Sequence, residues 1–297
     1  MAMVSFITTC KNRLSHIQET MPLLYAEAAK EEIIFVDYGC TEGSSDWVKA
    51  HYPKVKIVLV NDDPGFCAAR ARNIGASVAN SPWLFFIDGD IKVKPGFLKW
   101  IKSNAKKGFY YRASATSNGK LDKETWGSFL CGKQDYKTID GYDEMFRGWG
   151  GEDDDIYARL TLSGIQQNFY PSKFLGVISH DDTIRLDAYR LKEISSHHMI
   201  NQTYLGIKLA LMRNSHVDKF DTKIVKQLDA SIRSNVMNSV TSKVEKMLQD
   251  KKGSSPYFKI ALNINHWLPD SYNLFQECNL TFTIRRKITE IDLNVES

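Results

Sequence analysis

The chain begins as an alternation of short apolar runs and longer stretches with helical spacing. Residues 4–9 (VSFITT) form an apolar, β-branched run ending in polar residues, and residues 14–30 place apolar side chains at helical intervals. Further apolar runs follow at 32–36 (EIIFV), 55–60 (VKIVLV) and 83–87 (WLFFI), with an alanine-rich helical segment at 68–79 before the last. These runs are nearly continuous instead of alternating, which suits strands covered on both faces. Strands separated by helices predict βαβ units and a parallel sheet. In an open α/β sheet the ligand crevice lies beyond the carboxyl ends of the strands. That rule selects residues 8–13, 37–44, 61–66 and 88–90, all polar, two of them led by aspartate.

After His180 the pattern changes. Residues 186–211 and 224–248 predict amphipathic helices separated by the polar stretch 213–222, and 251–256 (KKGSSP) reads as a linker or turn. Residues 257–264 and 280–291 alternate as a half-exposed hairpin does. No internal repeat or low-complexity tract interrupts the chain. The expected organisation is one α/β domain over 1–184 and a mainly helical extension over 185–297 that ends in a hairpin.

Composition narrows the function. With 43% hydrophobic and 11% aromatic residues in 297, the chain buries a real core and is not disordered as a whole. Its 39 Lys and Arg against 35 Asp and Glu leave +4, which excludes a dedicated nucleic-acid binder. A basic helical face with Lys208, Arg213, Lys219, Lys223 and Lys226 permits a peripheral membrane contact, beside the plainer reading of a solvated face. Five cysteines, an odd number without a CxxC pair, argue against a disulfide framework or zinc site and fit a reducing compartment. No apolar run approaches the ~20 residues of a membrane span. The start, MAMVSFITTCKNR, enters a strand directly instead of passing through a signal peptide, so a cytoplasmic protein is expected. Nothing in the sequence sets an oligomeric state.

The sharpest chemical signal is GWGGEDDDIYAR, residues 148–159. Three glycines around Trp149 permit close backbone approach, and four acids, Glu152 to Asp155, then open a helical stretch. Capping accounts for one or two of the acids, Asp154 or Asp155, because acids complement a helix N-terminus. It gives no reason for Trp-Gly-Gly before them. Asp88-Gly89-Asp90 follows the strand WLFFI directly. Two carboxylates at i and i+2 can face one hard cation; an Asp-Gly turn looks the same, but this one stands at the expected crevice. His180, which closes the run 174–179, becomes an imidazole ligand for Mn²⁺ if such a site is near. Asp37 either hydrogen-bonds a nucleobase or caps the following turn. Asn12, Arg13, Arg70, Arg72 and Asn73 are likewise open between clamping a diphosphate and lying on the surface.

Taken in order, VSFITTCKNR, EIIFVDYGCTEGSSD, ARARNIGASVA and LFFIDGD resemble the nucleotide-sugar domain of GT-A glycosyltransferases of the family 2 type. The later segment IDGYDEMFRGWGGEDDDIYARL resembles the catalytic motif of β-1,4-galactosyltransferases, chondroitin-type polymerases and polypeptide N-acetylgalactosaminyltransferases. The resemblance covers residues 3–182 and implies a GT-A fold, a Rossmann-like mixed sheet flanked by helices. It also implies a metal-dependent inverting transfer of a sugar, galactose or N-acetylgalactosamine first, from a UDP-sugar to a glycan or glycolipid hydroxyl.

By position, Thr8, Thr9, Asn12 and Arg13 match the loop that walls the uridine diphosphate, with Lys11 where galactosyltransferases place an arginine. Asp37 matches the acid that reads uracil, and Arg70 with Asn73 the donor-side helix. Asp88 and Gly89 match the donor-facing part of the DxD. Asp90 matches the direct metal ligand, with Asp88 beside it and His180 as the second ligand. Val177 stands where those enzymes have a methionine ligand, which implies an Mn²⁺ (or Mg²⁺) site completed by water. Trp149, Gly150 and Gly151 match the sugar pocket, Glu152 the acceptor-binding acid and Asp153 the catalytic base. Two other classes compete. One is an inactive UDP-sugar-binding scaffold acting through the helical tail. The other, a nucleotidylyltransferase, is disfavoured because ITTCKNR lacks the glycines of a phosphate loop.

Overall fold

The computed structural model describes residues 2–63, 65–116, 119, 123–148, 150–178, 200–210, 212, 226, 229–230, 232–234, 257–263 and 279–285. The chain divides into two compact units, Met1–Tyr189 and Arg190–Ser297.

The first unit runs β1 (Val4–Cys10), α1 (Leu14–Ala28), β2 (Glu32–Asp37), α2 (Ser44–His51), β3 (Lys56–Leu59), α3 (Ala68–Val78) and β4 (Trp83–Asp88). It continues with β5 (Ile91–Val93), α4 (Phe97–Asn104), β6 (Phe109–Ala113), β7 (Phe129–Gly132), α5 (Lys133–Thr138), α6 (Glu152–Leu162), β8 (Gln166–Tyr170) and β9 (Leu175–Val177). Seven strands form one mixed sheet in the order β3-β2-β1-β4-β7-β6-β8. The β1–β2, β2–β3 and β1–β4 pairs are parallel, β7 is antiparallel to both β4 and β6, and β8 runs parallel to β6.

The continuous apolar runs mark the central strands. Every residue of β1 is buried, and in β4 successive side chains go to opposite faces. Trp83, Phe85 and Ile87 meet α1, α2 and α4 on one side through Ile17, Met21, Val48, Phe97 and Ile101. Leu84 and Phe86 meet α3, α5 and α6 on the other through Ala69, Ala76, Tyr136, Ile156 and Leu160. The weaker run KIVL is an edge strand, with Leu59 58% exposed.

Helix α3 lies unusually close to the sheet. A Cβ on Gly75 would stand 2.4 Å from Ile7 Cγ2 and 3.1 Å from Val36 Cγ2, so only glycine lets the helix settle there. That contact fixes the height of the side chains one turn earlier on the same helix.

Besides helices α2, α4 and α5 and the short strand β5, three strands of the main sheet were not predicted. Strands β6, β7 and β8 complete the sheet, and β8 (QQNFY) is exposed except at Tyr170, so it carries no apolar run to find. In the second unit, residues 200–210 are helical and β10 (Tyr257–Asn263) pairs antiparallel with β11 (Asn279–Arg285). The rest of the helices expected over 186–211 and 224–248 lies largely outside the described residues, as do most of the basic-face positions. No helix among the described residues is long and apolar enough to cross a membrane.

Candidate active site

The sheet register gathers the predicted strand-end residues at one edge of the domain. Thr9 pairs with Asp88 across β1–β4, and Cys10 pairs with Asp37 across β1–β2. Thr8 and Thr9 are buried within β1. Gly89 sits against the Thr9 carbonyl, where an added Cβ would come within 3.2 Å, and its own carbonyl accepts a bond from Thr20 Oγ1 at 3.0 Å.

Arg72 organises the acids. It lies on the sheet-facing side of α3, with a side chain only 5% exposed. Its Nη2 donates to Asp88 Oδ1 at 2.7 Å and its Nη1 to Asp153 Oδ1 at 3.0 Å, while Glu152 Oε1 stands 3.6 Å away. The Tyr142 hydroxyl donates to the same Asp153 oxygen at 3.2 Å, and the guanidinium stands over the Tyr142 ring at 5.1 Å. Gly127 closes one wall: a Cβ there would be 2.7 Å from Arg72 Nη2, 2.8 Å from Asp88 Oδ2 and 3.2 Å from Asp153 Oδ2.

Three carboxylates therefore surround one guanidinium. Burial works against the charge on Arg72, but Asp153, Tyr142, Asp88 and Glu152 together hold its pKa well above the ordinary value. Burial raises the Asp153 carboxyl, with Arg72 pulling it back down and Asp88 pushing it up. Burial, then the neighbouring Asp153, pushes Glu152 up to about 8. Glu152 Oε2 is buried without a hydrogen-bond partner.

The local sequence explains how the acids reach this place. Gly148, Gly150 and Gly151 adopt φ of +77°, +88° and +96°, left-handed values that suit glycine alone and turn the chain sharply into α6. Glu152 and Asp153 then occupy the first turn, where the helix dipole favours negative charge. Asp154 and Asp155 have other partners. Trp126 Nε1 donates to Asp154 Oδ1 at 3.0 Å, and buried Asp155 pairs with Arg159 four residues on at 2.7 Å. Capping was expected for one of these two; each instead makes a specific side-chain contact, and α6 has no side-chain cap.

The remaining predicted residues fall into two further groups. Asn73 Oδ1 accepts from the Tyr142 amide at 2.9 Å and from the Tyr136 hydroxyl, and its Nδ2 donates to the Tyr142 carbonyl and to Glu144 Oε1, both at 2.9 Å. It pins the loop that carries Tyr142. Arg70, two residues before Arg72, leaves the opposite side of α3 and reaches Asp62 at 2.6 Å and the Tyr38 hydroxyl at 3.3 Å. Tyr38 donates to Asp63 at 2.7 Å, and Asp63 also accepts from Arg147, the residue before the glycine-rich turn. A cleft of about 530 Å³ opens on this Arg70 side, lined by Asn61, Asp62 and Ile74, and not over the acid cluster.

In the other group, Asp37 Oδ1 accepts from the Cys40 amide at 2.7 Å and Oδ2 from the Ser45 amide at 3.1 Å. Asp37 thus ties down the turn that leads into α2. Asn12, at φ +50°, accepts from the Thr41 amide at 2.8 Å, and Arg13 occupies the N-cap of α1. Lys11 Nζ donates to the Gly39 carbonyl at 3.0 Å.

Asp90 stands at the DGD turn and its carbonyl accepts from the Ile178 amide at 3.0 Å, beyond the β5–β9 pair. Trp149 and His180 lie outside the described residues. Among the described residues no three His, Cys, Asp or Glu form a metal cage. The cluster still suits a hard divalent cation on its chemistry. Its donors are carboxylate oxygens, and with Glu152 protonated the Asp88 and Asp153 carboxylates still outnumber the Arg72 guanidinium by one negative charge.

Sequence reasoning left Arg72 undecided and carried only its neighbours Arg70 and Asn73 into the site. A signal was present: Arg72 shares a helical face with Gly75, Ala76 and Ala79, the small residues that must touch the sheet. Tyr142 and Gly127 gave no such signal.

Residues 5–142 match the family model for glycosyl transferase family 2, and residues 110–181 match the one described as N-terminal domain of galactosyltransferase. The chain is thus similar to glycosyltransferases over both stretches, and the two matches overlap over residues 110–142, which contain most of β6 and all of β7. Human chondroitin sulfate synthase 3 is 26% identical over 195 residues, 54% of this chain and 21% of that protein. Human β-1,4-galactosyltransferase 1 is 46% identical over 39 residues, 13% of this chain and 10% of that protein. The chain therefore spans about a fifth or less of the length of these relatives. Among solved structures, GalNAc-T7 with UDP, GalNAc and Mn²⁺ superposes with a TM-score of 0.55 at 14% identity, covering 89% of this chain and 60% of that one.

Proposed function

We propose that the α/β domain, residues 1–184, is a metal-dependent inverting hexosyltransferase. It moves a sugar, galactose or N-acetylgalactosamine first, from a UDP-sugar to a hydroxyl of a glycan or glycolipid acceptor. One observation carries the reading: a single buried guanidinium, Arg72, joins the DxD carboxylate Asp88 to the α6 carboxylate Asp153.

Asp153 is the general base. Arg72 and Tyr142 both bond its Oδ1, which fixes the carboxylate plane and leaves Oδ2 as the oxygen that takes the acceptor proton. Burial raises its pKa from the carboxylate range, which makes it a better base near neutral pH. Glu152, Gly150 and Gly151, with Trp149, hold the acceptor and the transferred sugar. Asn12, Arg13, Thr8 and Thr9 form the uridine diphosphate wall, Asp37 reads the uracil edge, and Arg70 and Asn73 line the α3 side. A bound Mn²⁺ or Mg²⁺, held by Asp88, Asp90 and His180, would neutralise charge building on the leaving diphosphate. Direct displacement with one base inverts the anomeric centre and needs no covalent nucleophile. Four free cysteines among the described residues accord with a cytoplasmic setting, where a peripheral contact with the inner face of the membrane would supply a lipid-linked acceptor.

The test is UDP release by the purified full chain from a panel of nucleotide sugars, with acceptor, with and without Mn²⁺. Asp153→Asn is expected to lower turnover by at least about 100-fold while leaving UDP binding intact. Near-normal turnover in that variant removes Asp153 as the base. UDP binding without turnover on any acceptor supports a binding scaffold instead.

A further inference from the structure

Two thiols meet beside the proposed donor wall. Cys10 ends β1 and is 2% exposed, while Cys40 is half-buried in the turn that follows β2. The Tyr38 amide donates to the Cys10 carbonyl at 2.9 Å, which brings that turn alongside the end of β1. The two sulfurs lie 3.5 Å apart. The Asn12 amide donates to Cys40 Sγ at 3.2 Å, and Cys10 Sγ lies 3.8 Å from Ser44 Oγ. Cys67 and Cys131 are buried in the core cluster on the other face of the sheet.

We propose that Cys10 and Cys40 are a redox modification site, converted to a disulfide by a hydroperoxide and restored by a thiol, and that the oxidised form binds the nucleotide sugar more weakly. The second half rests on the donor-site reading above.

The two sulfurs differ in exposure, Cys40 half-buried in a turn and Cys10 buried in β1. The contact with Cys10, with help from the Asn12 amide and against burial and the neighbouring Asp37 carboxylate, draws the Cys40 thiol below its ordinary value. The contact with Cys40, then burial, holds the Cys10 thiol well above its own. Cys40, the more exposed sulfur, is the one that meets the oxidant as thiolate. Its sulfur attacks the peroxide O–O bond; an S–O bond forms, the O–O bond breaks, and the departing oxygen leaves as water or alcohol with the proton Cys40 gave up. The Cys10 sulfur then attacks Cys40 sulfenic acid. An S–S bond forms, the S–O bond breaks, and hydroxide leaves as water with the Cys10 proton. Two thiols are oxidised and one peroxide is reduced. Reversal is thiol–disulfide exchange with two equivalents of external thiol.

A disulfide is about 2.05 Å long, so the sulfurs must close by more than an ångström. The Cys40 side chain is the one that turns, because it is half-buried in a turn whereas Cys10 sits in a fully buried strand. Its movement takes the acceptor away from the Asn12 amide and displaces the Asn12–Thr41 contact. Asn12 belongs to the proposed diphosphate wall, which is why donor affinity changes.

The wild-type chain is treated with hydrogen peroxide, then examined by intact mass, by peptide mapping and by calorimetric titration with UDP. Loss of two hydrogens, a cross-link between the Cys10 and Cys40 peptides, and UDP affinity at least tenfold weaker and restored by dithiothreitol support the proposal. The C40S variant is expected to bind UDP alike with and without peroxide. Oxidation of other cysteines with no Cys10–Cys40 cross-link overturns the pair as a site. A cross-link with unchanged UDP affinity overturns the regulatory half. A reduced chain that binds no UDP overturns that half together with the donor-site reading, while the mapping still decides whether the pair closes.

Discussion

Asp153 Oδ1 accepts a hydrogen bond from Arg72 Nη1 at 3.0 Å, although one residue opens helix α6 and the other sits in the middle of α3. The same guanidinium holds Asp88 at 2.7 Å. A planar fork serves two carboxylates at once, which an ammonium cannot copy. Arg72→Lys is therefore expected to keep most of the stability and to lose about 100-fold in turnover, the scale of removing one well-aimed donor. Arg72→Met leaves buried carboxylates without their cation and should cost about 3–5 kcal/mol. Melting and turnover of the two variants check this, and equal melting points would refute it.

Tyr142→Phe removes one hydrogen bond and keeps the ring, which packs edge-on against Phe86 and Phe129. Stability should fall by about 1 kcal/mol. The lost bond is one that lowers the Asp153 pKa, so the proposed base stays protonated to higher pH. The acid limb of the pH–rate profile is expected to move upward. A profile unchanged in shape would separate Tyr142 from the titration of Asp153.

Glu152 links stability to pH in the opposite sense from a salt-bridged acid. Its folded pKa, pushed up to about 8, exceeds the ordinary 4.5, so the folded chain binds the extra proton. That contribution is present below pH 4.5 and is lost as the pH rises towards 8. Glu152→Gln is neutral throughout. Its melting point should exceed that of the wild type at pH 8 and converge with it near pH 5, in buffer without divalent cations. Parallel curves for the two proteins would contradict the raised value.

Gly127→Ala places a methyl group 2.7 Å from Arg72 Nη2 and 2.8 Å from Asp88 Oδ2. Both atoms belong to the Arg72–Asp88 ion pair, so the methyl group pushes on that pair. The variant should lose about 1–3 kcal/mol from overpacking and lose the Mn²⁺ response of UDP binding, read by calorimetry. Retention of both would show that the wall at Gly127 is soft.

The sheet was legible where burial on both faces demanded uninterrupted apolar residues, as in VSFITT, EIIFV and WLFFI. It was not legible in β8, whose glutamines and asparagine lie on an exposed edge, nor in β6 and β7, where tyrosines and a cysteine fill positions no simple period marks. The acids of the site could be read because each follows a strand or a glycine turn. Arg70 and Arg72 could not be separated by composition. They differ by two positions on a helix, so one faces the sheet and the other the outer loops, and only the small residues of α3 betray which. Asp37 stayed ambiguous because a turn-capping acid and a base-reading acid occupy the same place after a strand.

Asn73 follows Arg72 directly, so one short stretch of α3 reaches both ends of the later segment: the guanidinium holds Asp153, and the amide holds Tyr142 and Glu144. The two family-matched halves are in consequence not interchangeable parts. A chimera that grafts residues 110–181 onto another transferase's first half inherits a workable centre only if that partner supplies the Arg-Asn pair at the same height above its own sheet. Recombination across this boundary succeeds or fails as a matched set of five residues, and not by how well the strands pair.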